Sequence, residues 1–258
     1  MIGAMVDRPE VQVRTAGVIV IGDEILSGKT AEENGSYLIR ELLDLGVSLR
    51  RIAVIPDVLE EIAETVRGFS ARFDLVFTSG GVGPTHDDVT MEGVARAFGT
   101  RVVRHPDLEA LLRVFYAERL EERDLRMADV PEGAELLRGE GLPWPIVSLR
   151  NVYVLPGVPE IFRRKFAAIR ERFRVAPFHL ACVYTRDGEG KIAAHLDEVA
   201  AAYPDVAVGS YPRLAIQEQG WRVKVTLESK DKARTDRAAA DLAGRLGPAS
   251  VVELEPPA

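Results

Sequence analysis

Three glycines followed by two adjacent acids form the segment of this chain with the clearest chemical meaning. The segment reads FDLVFTSGGVGPTHDDVT over residues 73–90, and its glycines are Gly80, Gly81 and Gly83. A buried strand, a glycine loop and a helix start together make a place where backbone N–H groups surround an anion. Asp87 and Asp88 would repel a bare phosphate, so their presence favours a divalent cation between the acids and a phosphate. The segment therefore predicts a phosphate site with Asp87 and Asp88 as metal ligands.

The segments around this loop alternate between strand-like and helix-like patterns. Apolar runs predict strands at 17–21, 51–55, 75–79 and 151–155. Amphipathic periodicity predicts helices at 31–45, 57–71, 90–99, 107–123 and 160–173. Residues 124–150 are rich in Gly and Pro, which favours irregular structure. The repeated strand–helix order predicts an α/β fold of the Rossmann-like kind, with a parallel sheet covered by helices on both faces.

The rhythm of the pattern changes near residue 175. The following segments predict a strand at 178–184, a helix at 191–202, strands at 206–211 and 222–228, and a helix at 232–246. This order is typical of a small α+β layer, and it indicates a second domain. We therefore expect a flexible leader (1–15), a large domain (16–175), a small α+β domain (176–250) and a tail (251–258).

Glycines and acids follow several of the predicted strands at the same edge of the sheet. Gly22, Asp23 and Glu24 follow the first strand, Asp57 follows the second, and residues 156–159 follow the strand at 151–155. In open parallel sheets, ligands bind beyond the carboxyl ends of the strands. These residues are therefore expected to surround one pocket together with the glycine loop.

Structural roles are open for several of the same residues. Asp57, with Glu60 three residues later, is also a candidate capping box for the helix at 57–71. Asp23 and Glu24 fit the first turn of a helix as well as a ligand site. Asn34 and Ser36 face either the same edge or solvent, and His86 is expected to lie in an exposed loop.

Composition excludes several classes of protein. The chain has 258 residues, of which 47% are hydrophobic and 28% charged, as in ordinary globular proteins. A formal net charge of −7 argues against a nucleic-acid-coating protein. No apolar run approaches the roughly 20 residues of a membrane helix, and no secretion signal begins the chain, so we expect a cytoplasmic protein. The single cysteine, Cys182, is expected to be a buried strand thiol.

Common catalytic motifs are missing from the sequence. The chain contains no GxxxxGK[ST] phosphate loop and no GxSxG nucleophile motif. It also contains no paired His or Cys pattern of the kind that holds structural zinc. The predicted site therefore belongs to a different class of phosphate-binding fold.

Four motifs together resemble the MoaB/Mog molybdopterin-binding superfamily. They are GGVGPTHDDVT, IGDEILSG at 21–28, IPD at 55–57 and LPGVPE at 155–160. Within the superfamily, the chain is most similar to the N-terminal domain of the CinA (competence/damage-inducible protein A) family and to the molybdopterin-binding-like domain of eukaryotic FAD synthases. The resemblance covers about residues 16–173. The segment that follows resembles, more weakly, the small KH-like domain of CinA proteins.

The resemblance implies roles for individual residues. Asp57 and Asp88 match acids that the Mog proteins use in catalysis, and residues 80–83 match the phosphate loop. The residues expected to contact the ligand are Gly22, Glu24, Asn34, Thr78, Ser79, Gly80, Gly81, Gly83, Thr85, Thr90, Pro156, Gly157 and Pro159.

The resemblance also implies a ligand class, a phosphate-bearing pterin or dinucleotide. In the CinA and FAD-synthase branches the associated activity is cleavage of a pyrophosphate such as that of ADP-ribose or FAD. We therefore expect a pyrophosphatase that depends on a divalent cation (Mg, Mn or Co) and forms a homodimer. The alternatives are molybdopterin binding with adenylyl transfer, and a non-catalytic binding module for RNA or protein. The 258 residues leave no room for the amide-hydrolysing domain of CinA proteins, so nicotinamide mononucleotide deamidation is not expected.

Overall fold

The computed structural model describes residues 14–139, 141–213 and 220–255. The described residues divide into two compact units, 14–175 and 176–255. Most of the expected leader, residues 1–13, lies outside this description, and Thr15 already belongs to the first strand.

The first unit alternates strands and helices along most of its length. Its elements are β1 (Thr15–Ile21), α1 (Asp23–Leu26), α2 (Asn34–Asp44), β2 (Ser48–Ile55), α3 (Leu59–Arg72), β3 (Leu75–Ser79), α4 (Thr90–Ala97), β4 (Val102–Arg104), α5 (Pro106–Tyr116), β5 (Asp129–Pro131), β6 (Glu135–Leu137), β7 (Ile146–Leu149), β8 (Val152–Leu155) and α6 (Pro159–Ile169).

The main sheet has the strand order β2-β1-β3-β8-β7-β6. The four strands from β2 to β8 are parallel, and β7 and β6 add an antiparallel edge. Successive residues of β1 point to opposite faces, so Val18 joins one apolar core and Ile19 the other. Helices α2 and α6 cover the first of these cores, and α3, α4 and α5 cover the second. The α/β fold with helices on both faces is thereby confirmed.

The segment 124–150 differs from its prediction as irregular structure. It contains β5, β6 and β7, which are only three or four residues long. Strands of this length carry too few residues for a period of two to stand out between glycines and prolines. The helix predicted at 107–123 also ends early, at Tyr116, because Ala117 has a φ of 50° and leaves the helical region.

The second unit is an antiparallel sheet with two helices. It contains β9 (His179–Thr185), α7 (Glu189–Ala202), β10 (Ala207–Pro212), β11 (Val223–Ser229), α8 (Lys232–Leu246) and β12 (Val251–Glu255), with the strand order β10-β11-β9-β12. The apolar residues of β9 and β11 on one face pack against α7 and α8. Residues 251–255, expected in a tail, instead form β12 and pair with β9. Residues 256–258 of that tail lie outside the described residues.

Two expectations about single features are tested by the described residues. Cys182 is buried in β9, as expected, and its burial raises the pKa of the thiol. Within the described ranges, no helix has the length and apolar character that a membrane span requires.

Candidate functional site

Gly80 stands where the ends of three strands meet. It follows β3, and its N–H donates to the carbonyl oxygen of Leu155 at the end of β8 (3.2 Å). Its φ is +105°, in the region that side-chain-bearing residues avoid. A Cβ built on Gly80 would lie 2.1 Å from the carbonyl oxygen of Ile21, the last residue of β1. Only glycine fits between these backbones, which explains the first glycine of the loop.

Gly81 faces both the following helix and the end of β2. Its φ is +63°, and its carbonyl accepts a hydrogen bond from the N–H of Thr90 (3.0 Å). A Cβ here would lie 2.3 Å from Thr90 Oγ1 and 3.5 Å from Asp57 Oδ1. The loop therefore passes close to the Asp57 carboxylate with no side chain between them.

The N–H groups of this loop are available to an anion. Within the part of the chain that the structure describes, the N–H groups of residues 81–83 donate to no protein acceptor. Unpaired N–H groups in a tight glycine turn form a concave site for negatively charged oxygens. The arrangement fits phosphate oxygens, and we refer to it as the phosphate cradle.

Asp57 is the second residue after the end of β2, and it accepts a hydrogen bond from the turn before α1. Its Oδ2 accepts a hydrogen bond from the N–H of Asp23 (2.9 Å), at the start of α1. Burial raises the pKa of the Asp57 carboxyl, and the negative charges of Glu24, Asp23 and Asp87 raise it further against the lowering effect of the Asp23 N–H. The predicted capping box is wrong, because Val58 is the N-cap of α3 and no side chain caps that helix.

Glu24 covers the turn that precedes α1. The N–H of Gly22 donates to the carbonyl oxygen of Ile55 (3.1 Å), which ties the first strand end to the second. A Cβ on Gly22 would lie 2.6 Å from Glu24 Oε1, so the carboxylate rests against this glycine. Glu24 is therefore placed beside Asp57, as its effect on the Asp57 pKa also indicates.

Asp88 closes its own loop. Its Oδ2 accepts hydrogen bonds from the N–H (2.8 Å) and the hydroxyl of Thr85. A Cβ on Gly83 would lie 2.6 Å from the same oxygen. The structure thus gives Asp88 and Thr85 a role in shaping the loop, whereas the charge of Asp87 acts on Asp57. His86 is exposed, as expected, and lies 3.8 Å from Asp87 (Nδ1 to Oδ1).

Asn34 joins β3 to the turn after β8. It is buried at the start of α2, and its Nδ2 donates to Ser79 Oγ (2.8 Å) and to the carbonyl oxygen of Gly157 (2.7 Å). A Cβ on Gly157 would lie 3.3 Å from the Cα of Gly80, so the turn at 156–159 packs directly on the glycine loop. Asn34 therefore faces the site, whereas Ser36 is exposed.

Replacing Asn34 with Leu should destabilise the protein by about 2–3 kcal/mol, because it leaves Ser79 and the Gly157 carbonyl without their buried donor. Urea unfolding at constant pH measures the change in free energy. Ser36→Ala is the control, because Ser36 lies two residues further along the same helix and is exposed. It should change stability by less than about 0.5 kcal/mol. Equal effects of the two substitutions would show that the Asn34 bridge contributes nothing.

Two of the threonines predicted to contact the ligand are fully buried. Thr78 lies inside β3, and its hydroxyl has no hydrogen-bond partner in the described residues. Thr90 Oγ1 donates to the carbonyl oxygen of Gly80 (2.9 Å) and so fastens α4 to the loop. Contact of either side chain with a ligand is therefore not supported by this structure. Both lie beside the loop in the sequence, but their side chains are buried.

The two prolines of the turn after β8 have different positions. Pro156 offers its carbonyl oxygen to Ser79 Oγ at 3.5 Å, next to the glycine loop. Pro159 is the first residue of α6, where its missing N–H costs nothing. Pro159 therefore sets the start of this helix.

A cavity of about 570 Å³ opens beside the glycine loop. Its lining includes Gly81, Gly83, Asp88, Met91, Arg96, Arg101, Arg126 and Met127. Arg96 pairs with Glu60, and Arg101 pairs with Glu132. Arg126 is exposed and has neither an ion pair nor a side-chain hydrogen bond within the described ranges. The cavity thus joins the glycine loop to the apolar side chains of Met91 and Met127 and to the exposed guanidinium of Arg126.

Sequence reasoning missed Arg126 and Met127. They lie in residues 124–128, a single turn of 3-10 helix between charged residues. Such a short turn carries no periodicity, and arginines are common on surfaces, so the sequence held no signal that separates Arg126 from its neighbours.

The residues fit a divalent cation that shares its ligands with a bound phosphate. In the described residues, no three His, Cys, Asp or Glu side chains are grouped closely enough to hold a metal by themselves. However, the charges of Glu24, Asp23 and Asp87 act on Asp57, whose pKa is raised mainly by burial, so several carboxylates lie near one another here. Mg²⁺ is commonly held by one or two carboxylates plus substrate phosphates. Of the two acids predicted as metal ligands, Asp88 accepts hydrogen bonds from the Thr85 N–H and hydroxyl at Oδ2, whereas the Asp87 side chain is exposed.

Family models match both units of the chain. Residues 17–174 match the family described as a probable molybdopterin binding domain, and residues 177–255 match the middle domain of FAD synthase. The first match includes the glycine loop, Asp57 and the turn at 156–159. A crystal structure of the protein CinA from Thermoplasma acidophilum has 32% identity and a TM-score of 0.58, and the match covers 62% of this chain and 98% of that one.

The relatives differ in how much of their own length the match covers. A protein of Archaeoglobus fulgidus is 36% identical over 86% of this chain and 93% of its own length. A probable FAD synthase of Caenorhabditis elegans is 32% identical over 90% of this chain, and a CinA-like protein of Frankia casuarinae is 31% identical over 86%. The match covers nearly all of the archaeal relative but only 50% and 55% of the other two. The chain therefore belongs to the molybdopterin-binding-domain (MoaB/Mog-like) family, with the FAD synthase middle domain as its second unit.

Proposed function

We propose that this protein hydrolyses the pyrophosphate bond of nucleoside diphosphate derivatives of the FAD or ADP-ribose type. The observation that carries the proposal is the Asp57 carboxylate, with its raised pKa, beside the free N–H groups of residues 81–83. An acid next to a phosphate cradle is suited to take a proton from a water that attacks phosphorus, whereas for binding alone its negative charge would repel the ligand. Similarity to FAD synthases and CinA-like proteins supports an enzyme acting on such ligands.

The chain's own groups divide the work between binding and proton transfer. The N–H groups of residues 81–83 bind the diphosphate and stabilise the charge that develops on its oxygens. Asp57 Oδ2 is held by the Asp23 N–H, which leaves Oδ1 to accept a proton from the attacking water. The water oxygen bonds to one phosphorus, the bridging P–O bond breaks, and two phosphomonoesters leave. A raised pKa makes Asp57 a stronger base than an ordinary aspartate.

Glu24 and Asp87 are the residues that would hold a divalent cation together with the ligand's phosphates. A bound cation would supply charge neutralisation on the diphosphate and lower the pKa of a water bound to it. Magnesium, manganese and cobalt are the candidate cations.

Removing free cations with EDTA should therefore suppress turnover, and adding back magnesium, manganese or cobalt should restore it.

The adjoining cavity suits the organic part of such a ligand. Its volume of about 570 Å³ lies within the range of small-molecule sites, and Met91 and Met127 supply apolar surface. Arg126→Gln should raise the KM for FAD by roughly tenfold with a smaller change in kcat, because it removes a guanidinium of the cavity lining that has no ion pair in the described residues and is suited to bind phosphate. Arg119→Gln, an exposed arginine outside the cavity, should leave KM unchanged. Equal KM values for the two variants would remove the cavity from the binding site.

One incubation series tests the activity itself. FAD, ADP-ribose, NADH and ATP are each incubated with the full chain and Mg, Mn or Co, and AMP release is followed by chromatography. We expect AMP from FAD or ADP-ribose in the presence of a divalent cation. Absence of AMP from all substrates and metals would contradict the proposal.

Molybdopterin binding with adenylyl transfer is the second candidate, favoured by the family match over residues 17–174. It predicts that the protein binds molybdopterin and consumes ATP to adenylylate it, with no AMP released from FAD. The expected homodimer remains a prediction, which light scattering on the purified chain measures directly.

A further inference from the structure

The turn between β7 and β8 places an arginine where glycine is favoured. Arg150 and Asn151 connect the paired residues Leu149 and Val152, so the hairpin has a two-residue turn. Arg150 has a φ of +54°, whereas turns of this length favour Gly, Asn or Asp at positions with positive φ. Strained residues that persist in a fold often have a functional reason. The Arg150 side chain is therefore a candidate for a role of its own.

The Arg150 guanidinium lies near a second arginine without a carboxylate for either. It stands over the ring of Phe98, 4.5 Å from the ring centroid. Arg67 donates from Nε to the carbonyl oxygen of Ala97 (3.2 Å) and from Nη2 to that of Arg96 (3.4 Å). In the described ranges, neither Arg67 nor Arg150 forms an ion pair. Two positive charges therefore remain uncompensated on this surface.

Both arginines line a cleft of about 550 Å³ that differs from the cavity beside the glycine loop. Its polar floor is already satisfied, since Ser70 Oγ donates to Asn151 Oδ1 (2.6 Å) and Asn151 Nδ2 donates to the carbonyl oxygen of Phe73 (2.7 Å). Apolar surface comes from Ala71, Ala97 and Phe98. The lining of the cleft contains no Asp or Glu. The remaining N–H donors of Arg67 and Arg150 therefore have no carboxylate acceptor there.

The cleft lies near the amino-terminal end of β8, whereas the glycine loop lies near its carboxyl-terminal end. Asn151 precedes β8, whereas Pro156 and Gly157 of the candidate active site follow it. We propose that this cleft is a second ligand site, which binds a phosphomonoester through Arg67 and Arg150. Guanidinium groups bind phosphate oxygens through paired N–H donors, and two of them match the charge of a phosphate dianion. The organic part of the ligand would contact Ala71 and Phe98.

Methyl NMR on the full chain tests the proposal with AMP as the probe. The Ala71 and Ala97 methyl groups line this cleft and do not line the cavity beside the glycine loop, so shifts of both signals together report binding at the cleft. We expect saturable shifts of both methyl signals with AMP, weaker ones with inorganic phosphate, and none with adenosine, which lacks the phosphate. No saturable shift up to about 10 mM AMP, or equal binding of adenosine, would overturn the proposal.

Two substitutions separate the site from general surface charge. Arg150→Asn should weaken AMP binding at these methyl groups at least tenfold while it keeps the fold, because Asn tolerates positive φ. Arg67→Lys, which keeps one charge but loses the fork of donors, should also weaken binding and serves if the first variant is unstable. Arg72→Asn, on the same helix but outside the cleft, is the control and should bind AMP like the parent protein. Unchanged binding in Arg150→Asn or Arg67→Lys contradicts the assignment.

Discussion

Asp57→Asn should reduce AMP release from FAD or ADP-ribose at least a hundredfold while it raises the melting temperature at neutral pH. The loss of activity follows because the amide accepts no proton from water at Oδ1 and carries no charge beside the loop. The amide oxygen still accepts the Asp23 N–H, so the turn at the start of α1 is kept. Activity by chromatography and melting by calorimetry, on the same samples, measure the two effects.

The gain in stability has a defined dependence on pH. The folded protein raises the Asp57 pKa above its ordinary value of 3.8, so folding favours the protonated carboxyl. The parent protein therefore loses stability as the pH rises from 3.8 through the raised pKa, and the loss is complete above it. Asp57→Asn lacks this penalty, so its advantage over the parent should be small near pH 4 and largest at pH 7.

Asp74→Asn provides a control of opposite sign. Hydrogen bonds from the Thr15 N–H and hydroxyl lower the pKa of Asp74, which lies away from the glycine loop. Its replacement should lower the melting temperature at pH 7 and leave turnover unchanged. If Asp57→Asn lowers stability as Asp74→Asn does, or keeps turnover, the assignment of Asp57 as the base is wrong.

Gly80→Ala should destabilise the protein by about 3 kcal/mol or more and abolish activity. The new Cβ would meet the carbonyl oxygen of Ile21, a backbone atom held in β1 that has no room to move. The φ of +105° adds backbone strain to this clash. Guanidinium unfolding measures the change in free energy, and AMP release measures the effect on the site.

Gly133→Ala separates the clash from the strain. Gly133 has a φ of +82°, but nothing lies within 4 Å of a Cβ built there. Its replacement should cost only the roughly 1–2 kcal/mol of the left-handed backbone conformation. Equal losses in Gly80→Ala and Gly133→Ala would mean that the approach of Ile21 to the loop is not as close as described.

Hydrophobic periodicity predicted the long elements of the fold. β1, β3 and α2 carry enough apolar residues for their period to be read, and their convergence at one edge follows from parallel pairing. The hairpin of β7 and β8 was missed, because a two-residue turn with Arg150 lacks the glycine that marks such turns. β12 was missed because the last three of its five residues, Glu253, Leu254 and Glu255, are exposed, so no buried apolar run marks the strand.

The sequence predicted which residues form the candidate site, but it did not predict how their side chains are oriented. The glycines at 80 and 81 and the acid at 57 do lie together. However, sequence spacing does not determine where a side chain points, so Thr78 and Thr90 turn inward and Asp88 binds Thr85 of its own loop. Conversely, nothing local in the sequence links Asn34 to Gly157, which meet only through the packing of α2 and the turn after β8.

The position of β8 in the sheet has a consequence for the order of folding. β8 pairs with β3, although α4, α5 and the strands β4 to β7 come between them in the chain. Closing so long a loop costs entropy before its contacts repay it, whereas the hairpin of β7 and β8 forms from neighbouring residues. We therefore expect the β7–β8 hairpin to form first and to bring the turn at Gly157 to Gly80 when it docks onto β3. During refolding, the phosphate cradle should be completed after most secondary structure has formed.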